Sequence, residues 1–568
     1  MAEENRTIVI WGAGGIGRGF VADLFASAGY RLVLVDQSAA LVESLRRRGQ
    51  YTVVWAEGGG KRTDRTIGGF AAYTTAQRDE VAAAVAAADL VAVAVFPRDF
   101  TAVVGQMVPG LVQRQRERPD VPLDVILCTN LAHAGPNFRS LLAAALPADS
   151  RAWAGRHVGI VESMVIRMVV EPPAGEAARD PLLVWTNGYP ELAVDRHAFR
   201  GEIPPVPALR PVDDMRAEEM RKIYTYNTLH AALAYLGALR GHTTIVECLA
   251  DPTVRADAQG VLQESRRALQ AEYGFGDEDM ECWLAGVLAQ TDNPALGDTV
   301  ARYGADPRRK LRRSDRLVGP LLLARAHHIP TPHLARALAA ALLYRGVEDA
   351  GAAHVQEQVA ALGLPGAVRT LCELTDEDGD VVSAVVLAYA RLERESAWAV
   401  RARQAGALAF EYEQVYHGCG QCALAALLDT LGTFEECAAE AVFEAATGLA
   451  GGLGLAGDAT CGALVGATLV FGMLYPRGRA CFDGGRDNKY RTYAMAQRLR
   501  QRYLGAYGSI TCQDVQRRVL GRPFDLRDPA EREAFEAAGA HRDKCTGVVA
   551  RAVEWAVEII GEEQGRDA

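Results

Sequence analysis

Residues 7–36 constrain the fold more than any other stretch. Thr7-Ile-Val-Ile10 is a short apolar run, and Trp11-Gly12-Ala13-Gly14-Gly15-Ile16-Gly17 follows it directly. Arg18–Ala28 then carries Phe20, Leu24, Phe25 and Ala28 at helical spacing and stops at Gly29, before a second apolar run, Arg31–Val35, that ends at Asp36. Strand, Gly-x-Gly-x-x-Gly, helix, strand and acid in this order predict a βαβ unit of a parallel sheet. Gly12, Gly14 and Gly17 permit a tight turn. With Gly15 and Ile16 they would bring the backbone against a pyrophosphate at the helix N-terminus. Asp36 is placed to accept hydrogen bonds from ribose hydroxyls, and its charge would repel a 2′-phosphate, which favours NAD. Arg46, Arg47 and Arg48 keep NADP open.

Further strands are expected at Leu90–Phe96 and Val125–Cys128, the first after an alanine-rich helix, Asp79–Ala88. Asn130 stands just past the second, where open α/β sheets bind ligands; as a bare sequence feature it is equally a turn residue. The fold class expected is an α/β Rossmann domain, then an all-α domain, then a further mostly α, cysteine-rich domain. The boundaries expected are 1–205, 206–395 and 404–568, with Arg394–Ala405 as the linker. A chain of 568 residues is too long for one core. Its net charge of −10 argues against a general nucleic-acid binder. An acidic N-terminus without a basic leader, and the lack of a sufficiently long apolar span, point to the cytoplasm and away from membranes. The longest uncharged stretch, Ala459–Pro476, is read as a buried helix.

In the second domain Asp213 or Asp214 can cap a helix running to Leu236, and helices are expected at 254–273, 314–327, 332–344, 352–361 and 380–392. The first of these helices carries Lys222, Asn227 and His230 within an arc of about 140°, and Glu219 falls inside the same arc. A lysine, an amide and an imidazole on one face can handle the proton of an alcohol while hydride leaves. The lysine serves as base only if burial or a nearby cation lowers its pKa. Asn227 and Asn130 could stabilise a developing oxyanion. A solvated lysine, a capping asparagine and a core histidine explain the helix equally well when it is taken alone.

The wider pattern resembles the polyol-specific long-chain (mannitol) dehydrogenases, in their short, mannitol-1-phosphate 5-dehydrogenase form. The matching segments are Gly12–Phe20, His157-Val-Gly-Ile160, Lys222–His230, Ala234-Tyr-Leu-Gly237, Tyr273-Gly-Phe275, Asn293-Pro294, Arg309-Lys-Leu311 and Asp315-Arg-Leu317. The resemblance implies metal-independent, NAD-linked interconversion of a sugar alcohol and a ketose, with mannitol 1-phosphate and fructose 6-phosphate as the candidate pair. It makes Lys222 the base, Asn130 and Asn227 oxyanion stabilisers, His230 a substrate ligand and Glu219 an aid to proton transfer. Arg302 and Lys310 match the family's substrate-contacting basic pair; their plain alternative is a solvated loop, since Arg308, Arg309, Arg312 and Arg313 crowd the same segment. Two departures stand out. Thr129 replaces an acid before the strand-end Asn, and Val165-Ile166-Arg167 replaces Val-Asp-Arg, which removes a polyol hydroxyl contact. Glu162 offers a polar group nearby.

Seven of the eleven cysteines lie after residue 400. Cys419-Gly-Gln-Cys422, Cys437, Cys461-Gly-Ala-Leu-Val-Gly466, Cys481, Cys512 and Cys545 sit in segments of helical periodicity, with a glycine-rich loop at Gly448–Gly457. This tail resembles a family of redox-active proteins defined by spaced cysteines and a Cys-Gly-Ala-x-x-Gly motif. The resemblance makes Cys422, Cys461, Cys512 and Cys545 the defining cysteines and Cys419 an addition. Three readings stay open: a zinc ion or iron–sulfur cluster on four thiolates, a Cys419–Cys422 disulfide cycle, or buried core cysteines. No flavin motif accompanies the Rossmann turn, so the two halves are not expected to share one reaction. The competing reading of the whole chain is an NADH-binding redox or metal sensor without polyol turnover.

Overall fold

The structure is a computed structural model that describes residues 6–129, 134–482 and 486–567. Asn130 lies outside them. The chain divides into two compact units, one comprising residues 1–238 and 242–385, the other 239–241 and 386–568.

The first unit is built on an eight-stranded sheet. From edge to edge its strands are Leu209–Val212, Leu192–Asp195, Val158–Met164, Leu123–Leu127, Leu90–Val93, Thr7–Trp11, Arg31–Asp36 and Ala71–Thr74. The last six are parallel, in the order a doubly wound fold gives. The chain leaves Thr7–Trp11 toward one edge and returns to pair Leu90–Val93 on its other side, so the glycine turn sits at the switch point. Ile8, Ile10, Leu32, Leu34 and Ile126 face one core layer and Val9, Val33, Val35, Val91 and Val125 the other. Strands buried on both faces read as the near-continuous apolar runs seen in the sequence. A second sheet runs Arg62–Gly68, Gln50–Ala56, Val184–Thr186, Val169–Val170. It is tied to the first helix through Asp23, whose carboxylate accepts from Trp55 and pairs with Arg65 and the fully buried Arg167. Breaking such a buried pair costs roughly 3–5 kcal/mol. That gives Arg167 a structural place, next to the departure at Ile166.

The helical part begins with Met215–Lys222, capped by Asp214, whose side chain accepts from the Ala217 amide. The sequence predicts one regular helix to Leu236. Instead Ile223–Asn227 forms a π turn, and Thr228–Leu239 continues through Gly237. Helices follow at Pro252–Tyr273, Asp277–Thr291, Val318–Ala326, Pro332–Leu343 and Ala350–Leu371. The segment expected as a linker, 394–405, is helical and lies inside Gly379–Val415. Its alanines explain this: they are strong helix formers, and Ala399, Ala402 and Ala405 are buried.

In the second unit, Cys419–Leu431, Gly462–Leu474, Arg486–Tyr507 and Cys545–Asp567 surround one core. The uncharged stretch is the buried helix Gly462–Leu474. Its glycines explain the motif that carries them. A Cβ on Gly466 would stand 2.0 Å from the Gly420 carbonyl oxygen, and one on Gly462 2.5 Å from Cys419 Sγ. Glycine at positions four apart lies on one helix face and lets two backbones touch. Among the described residues no helix is long and apolar enough to cross a membrane.

Candidate active site and thiol cavity

The glycine turn has the features a dinucleotide needs. Gly12 has φ +88°, and a Cβ there would meet the Ala94 carbonyl oxygen at 2.5 Å. A Cβ on Gly17 would stand 1.8 Å from the Gly12 carbonyl oxygen, so helix and turn pack in direct backbone contact. Gly14 faces open space, where a pyrophosphate could approach. Gly15 is backed by Val169, and Ile16 leads into a π turn at Gly17–Val21. Asp36 accepts from the Ala13 amide at 2.8 Å through Oδ2 and from the Ser38 amide at 2.8 Å through Oδ1. It braces the turn, and the remaining lone pairs of its carboxylate can take ribose hydroxyls. Arg46 is committed to the Ala72 carbonyl and to Gln77.

A cleft of about 310 Å³ opens at the carboxyl ends of the parallel strands. Thr129, just beyond Leu123–Leu127, and Ser163, Met164 and Val165 line one side; Glu219, Lys222, Ile223 and Asn227 line another. The π turn decides this grouping. In a regular helix residues five apart diverge by about 140°, whereas a turn closed by i→i+5 bonds stacks them. The Thr228 amide donates to the Ile223 carbonyl across five residues. Asn227 is thereby turned to the same wall as Lys222.

The Lys222 ammonium donates to the Val165 carbonyl at 2.6 Å. Burial, assisted by the charge of Arg316, lowers its pKa from 10.5 to about 8, against the pull of Glu219. Glu219 is pushed the other way, up to about 7, by burial and by Glu162, with Lys222 opposing. Glu162 accepts from the Gly135 amide at 2.7 Å. An amine and a carboxyl with converging pKa values, side by side in a cleft, can pass a proton between them near neutrality.

The structure does not bring every expected residue into this cleft. His230 is 6% exposed, its Nε2 lies 3.3 Å from Thr291 Oγ1 and its ring packs 4.2 Å from Tyr303. Burial depresses its pKa to about 3, so it stays neutral. Lys310 is buried, bonded to the Tyr303 carbonyl, with a pKa lowered to about 7, chiefly by burial. Arg302 pairs with Asp298 at 2.7 Å. None of the three is among the lining residues. Ile166 is likewise buried outside the lining, so no cleft wall is lost with the missing aspartate. Besides Lys222, the basic groups that line it are Arg309, Arg312 and Arg316, with Ser314 and Asp315. Arg309 pairs with Asp306 and Asp315, and Arg316 with Asp315. The Arg312 guanidinium is exposed and has no carboxylate partner among the described residues. In the sequence these arginines sit in a densely basic segment, Arg308-Arg-Lys-Leu-Arg-Arg-Ser-Asp-Arg316, and no periodicity separates the ones that face the cleft.

In the second unit, Cys419, Cys461, Cys512 and Cys545 line one cavity of about 230 Å³. Three of these are cysteines the resemblance makes defining; Cys422, the fourth of those, is not among the lining residues. Cys422, one helical turn past Cys419, donates to the His417 carbonyl at 3.2 Å. Cys419, read as the addition, holds the fourth position. Two strand-like crossings align the set: the Cys461 amide donates to the Ile510 carbonyl at 2.8 Å and the Cys512 amide to the Ala459 carbonyl at 2.9 Å. Burial pushes the thiols of Cys461 and Cys512 up to about 12 and raises Cys419 and Cys545 as well. In the second unit Cys419, Cys422, Cys437, Cys461, Cys512 and Cys545 are free thiols, and Cys437 is exposed.

Comparison with known proteins agrees with both units. Residues 6–207 match the mannitol dehydrogenase Rossmann domain and residues 214–370 the mannitol dehydrogenase C-terminal domain. Residues 417–559 match the redox-active protein family C_GCAxxG_C_C. Among solved structures, a D-sorbitol dehydrogenase in substrate-free form aligns at 18% identity, covering 68% of this chain and 93% of its own, with a TM-score of 0.59. The Pseudomonas fluorescens mannitol 2-dehydrogenase, in ternary complex with NAD and D-mannitol, aligns at 19% identity over 69% of this chain and 92% of its own, with a TM-score of 0.53. The chain belongs to the mannitol (polyol) dehydrogenase family, with a C_GCAxxG_C_C domain after its dehydrogenase domains.

Proposed function

We propose that the first unit is an NAD-dependent dehydrogenase that interconverts a polyol phosphate and the corresponding ketose phosphate, with Lys222 as the base. The observation that carries this reading is the Lys222 amine, held at 2.6 Å by the Val165 carbonyl in a strand-end cleft, with its pKa lowered to about 8. Bound NAD supplies the hydride acceptor. The free amine of Lys222 takes the hydroxyl proton as the alcohol is oxidised, and its ammonium returns that proton in the reverse direction. Asn227, on the same wall, donates to the oxygen as negative charge develops, a contribution of several kcal/mol where the donor is fixed in place. Glu219 carries the proton between Lys222 and solvent, since its own pKa is near 7. The lining offers an amine, an amide and carboxylates but no imidazole or thiol among the described residues, so the proton transfer is assigned to the chain without a metal.

Arg312, exposed at the cleft without a carboxylate partner among the described residues, beside the Asp-paired Arg309 and Arg316, favours a phosphorylated substrate over a neutral polyol. Mannitol 1-phosphate with fructose 6-phosphate remains the pair we favour. The D-mannitol and NAD named for the Pseudomonas fluorescens neighbour support a polyol and this cofactor. The test is a panel of polyols, ketoses and their phosphates with NAD(H) and NADP(H). Turnover of a phosphorylated pair with NAD(H) is expected. No turnover of any pair, or full turnover by Lys222→Ala, would refute the assignment.

A further inference from the structure

Outside the dehydrogenase cleft, one cluster of side chains has donors of a kind that bind metal and no role assigned so far. His417, Glu536 and His541 each offer one ligand atom within 4.8 Å of the others. They come from three separate elements. His417 stands in the turn before helix Cys419–Leu431, Glu536 on helix Pro529–Ala537, and His541 in the π turn Ala540–Lys544. The two imidazoles pack with ring centres 3.8 Å apart and planes tilted by 31°. His541 Nδ1 is 2.5 Å and His417 Nδ1 3.9 Å from the same oxygen, Glu536 Oε1. A tetrahedral ion with bonds of about 2.1 Å separates its donors by roughly 3.4 Å, within the span these atoms already occupy.

A second observation comes from the opposite edge of His541. Its Nε2 lies 3.6 Å from Oε1 of Glu413, a carboxylate 2% exposed. The other oxygen, Glu413 Oε2, is buried with no hydrogen-bond partner among the described residues. A carboxylate behind a histidine whose other nitrogen faces outward is how metal-binding imidazoles are commonly held in one tautomer and orientation. A buried carboxylate with an idle oxygen is costly unless positive charge is near. Both histidines, Glu413 and Glu536 line the cavity that also receives Cys419, Cys461, Cys512 and Cys545. The four thiols do not themselves form a compact ligand set: among the described residues the only group of three or more donors close enough is the one above.

We propose that the second unit binds one divalent transition-metal ion, such as Zn²⁺ or Fe²⁺, through His417, His541 and Glu536 at the edge of the thiol cavity. Glu413 acts as a positioning residue behind His541. Two imidazoles and a carboxylate suit these ions over Mg²⁺ or Ca²⁺, and leave at least one position open toward the cavity.

The experiment uses the full chain, stripped with chelator and titrated with Co²⁺ as a spectroscopic probe and with Zn²⁺ by calorimetry. One equivalent is expected, with visible d–d bands and without intense thiolate-to-cobalt absorption in the near ultraviolet. His541→Gln and His417→Asn are expected to weaken binding at least a hundredfold; asparagine is chosen because residue 417 has φ +58°. Glu413→Gln is expected to weaken it about ten- to a hundredfold. Cys461→Ser with Cys512→Ser is expected to leave affinity unchanged. Absence of stoichiometric binding by the wild-type chain overturns the proposal. So does a strong thiolate band, and so does undiminished affinity in histidine variants whose circular dichroism matches wild type. The wild-type spectrum decides the matter even if a variant does not fold.

Discussion

The dehydrogenase cleft and the thiol cavity are both enclosed by burial, and burial acts on them in opposite directions. Desolvation penalises whichever form carries charge. For the Lys222 amine it removes a proton and leaves a usable base, with a pKa of about 8. For Cys461 and Cys512 it retains the proton and suppresses the nucleophile, with pKa values of about 12. On the proposed reading the first site suits acid–base work near neutrality, whereas the second needs an added positive charge before its thiols act. In each unit a π turn presents a key side chain: Ile223–Asn227 turns Asn227 toward Lys222, and Ala540–Lys544 presents His541. Such turns recur at functional sites because they alter a helix face without breaking the helix.

Four measurements test this contrast. Lys222→Ala is expected to lower kcat/KM about a thousandfold, within the range for general acid–base catalysis, while NADH still binds by fluorescence titration. Retained activity would end the argument that desolvation prepared the amine. Next, alkylation of the folded chain followed by mass spectrometry should label the exposed Cys437 at least about a hundredfold faster than Cys461 and Cys512, since a thiol of pKa 12 is about one part in 10⁵ thiolate at pH 7. Equal rates would remove the difference between the two sites. Arg312→Ala should raise KM for a phosphorylated substrate about ten- to a hundredfold and leave its unphosphorylated counterpart nearly unchanged. An equal effect on both would mean the arginines do not read a phosphate. The smallest expected effect is on the pH profile. Lys222 has a lowered pKa, so its base form is scarce below pH 8 and dominant above it. Alcohol oxidation, followed as kcat/KM, should rise about tenfold per pH unit up to about pH 8 and then level, and ketose reduction should fall above that pH. A flat oxidation profile from pH 6 to 9 would assign the proton to another group.

Much of the fold is legible locally. The βαβ unit, the strand at Leu90–Val93 and the helices near 254–273 and 332–344 follow from apolar runs, and the start of Met215–Lys222 from the Asp214 cap. These features depend on residues a few positions apart. The π turn was not legible, because a regular helix and one with an extra residue carry the same apolar pattern. The basic run from Arg308 to Arg316 gave no sign of which guanidiniums turn inward, and the resemblance drew attention to Arg302 and Lys310 instead. No compact spacing links Glu413 and His417 to Glu536 and His541, more than a hundred positions further along the chain.

The sequence by itself determined the chemistry available: a glycine turn that only a close backbone approach requires, a lysine on a helix face, and small residues at Gly462 and Gly466 that let two helices touch. Tertiary structure decided which of those groups meet. It set Cys419 rather than Cys422 against the cavity with Cys461, Cys512 and Cys545, packed His230 against Tyr303, and put Glu413 beside His541. The physical reason is that pKa, desolvation and ligand geometry depend on neighbours in space, and those neighbours come from strands and helices far apart in the chain.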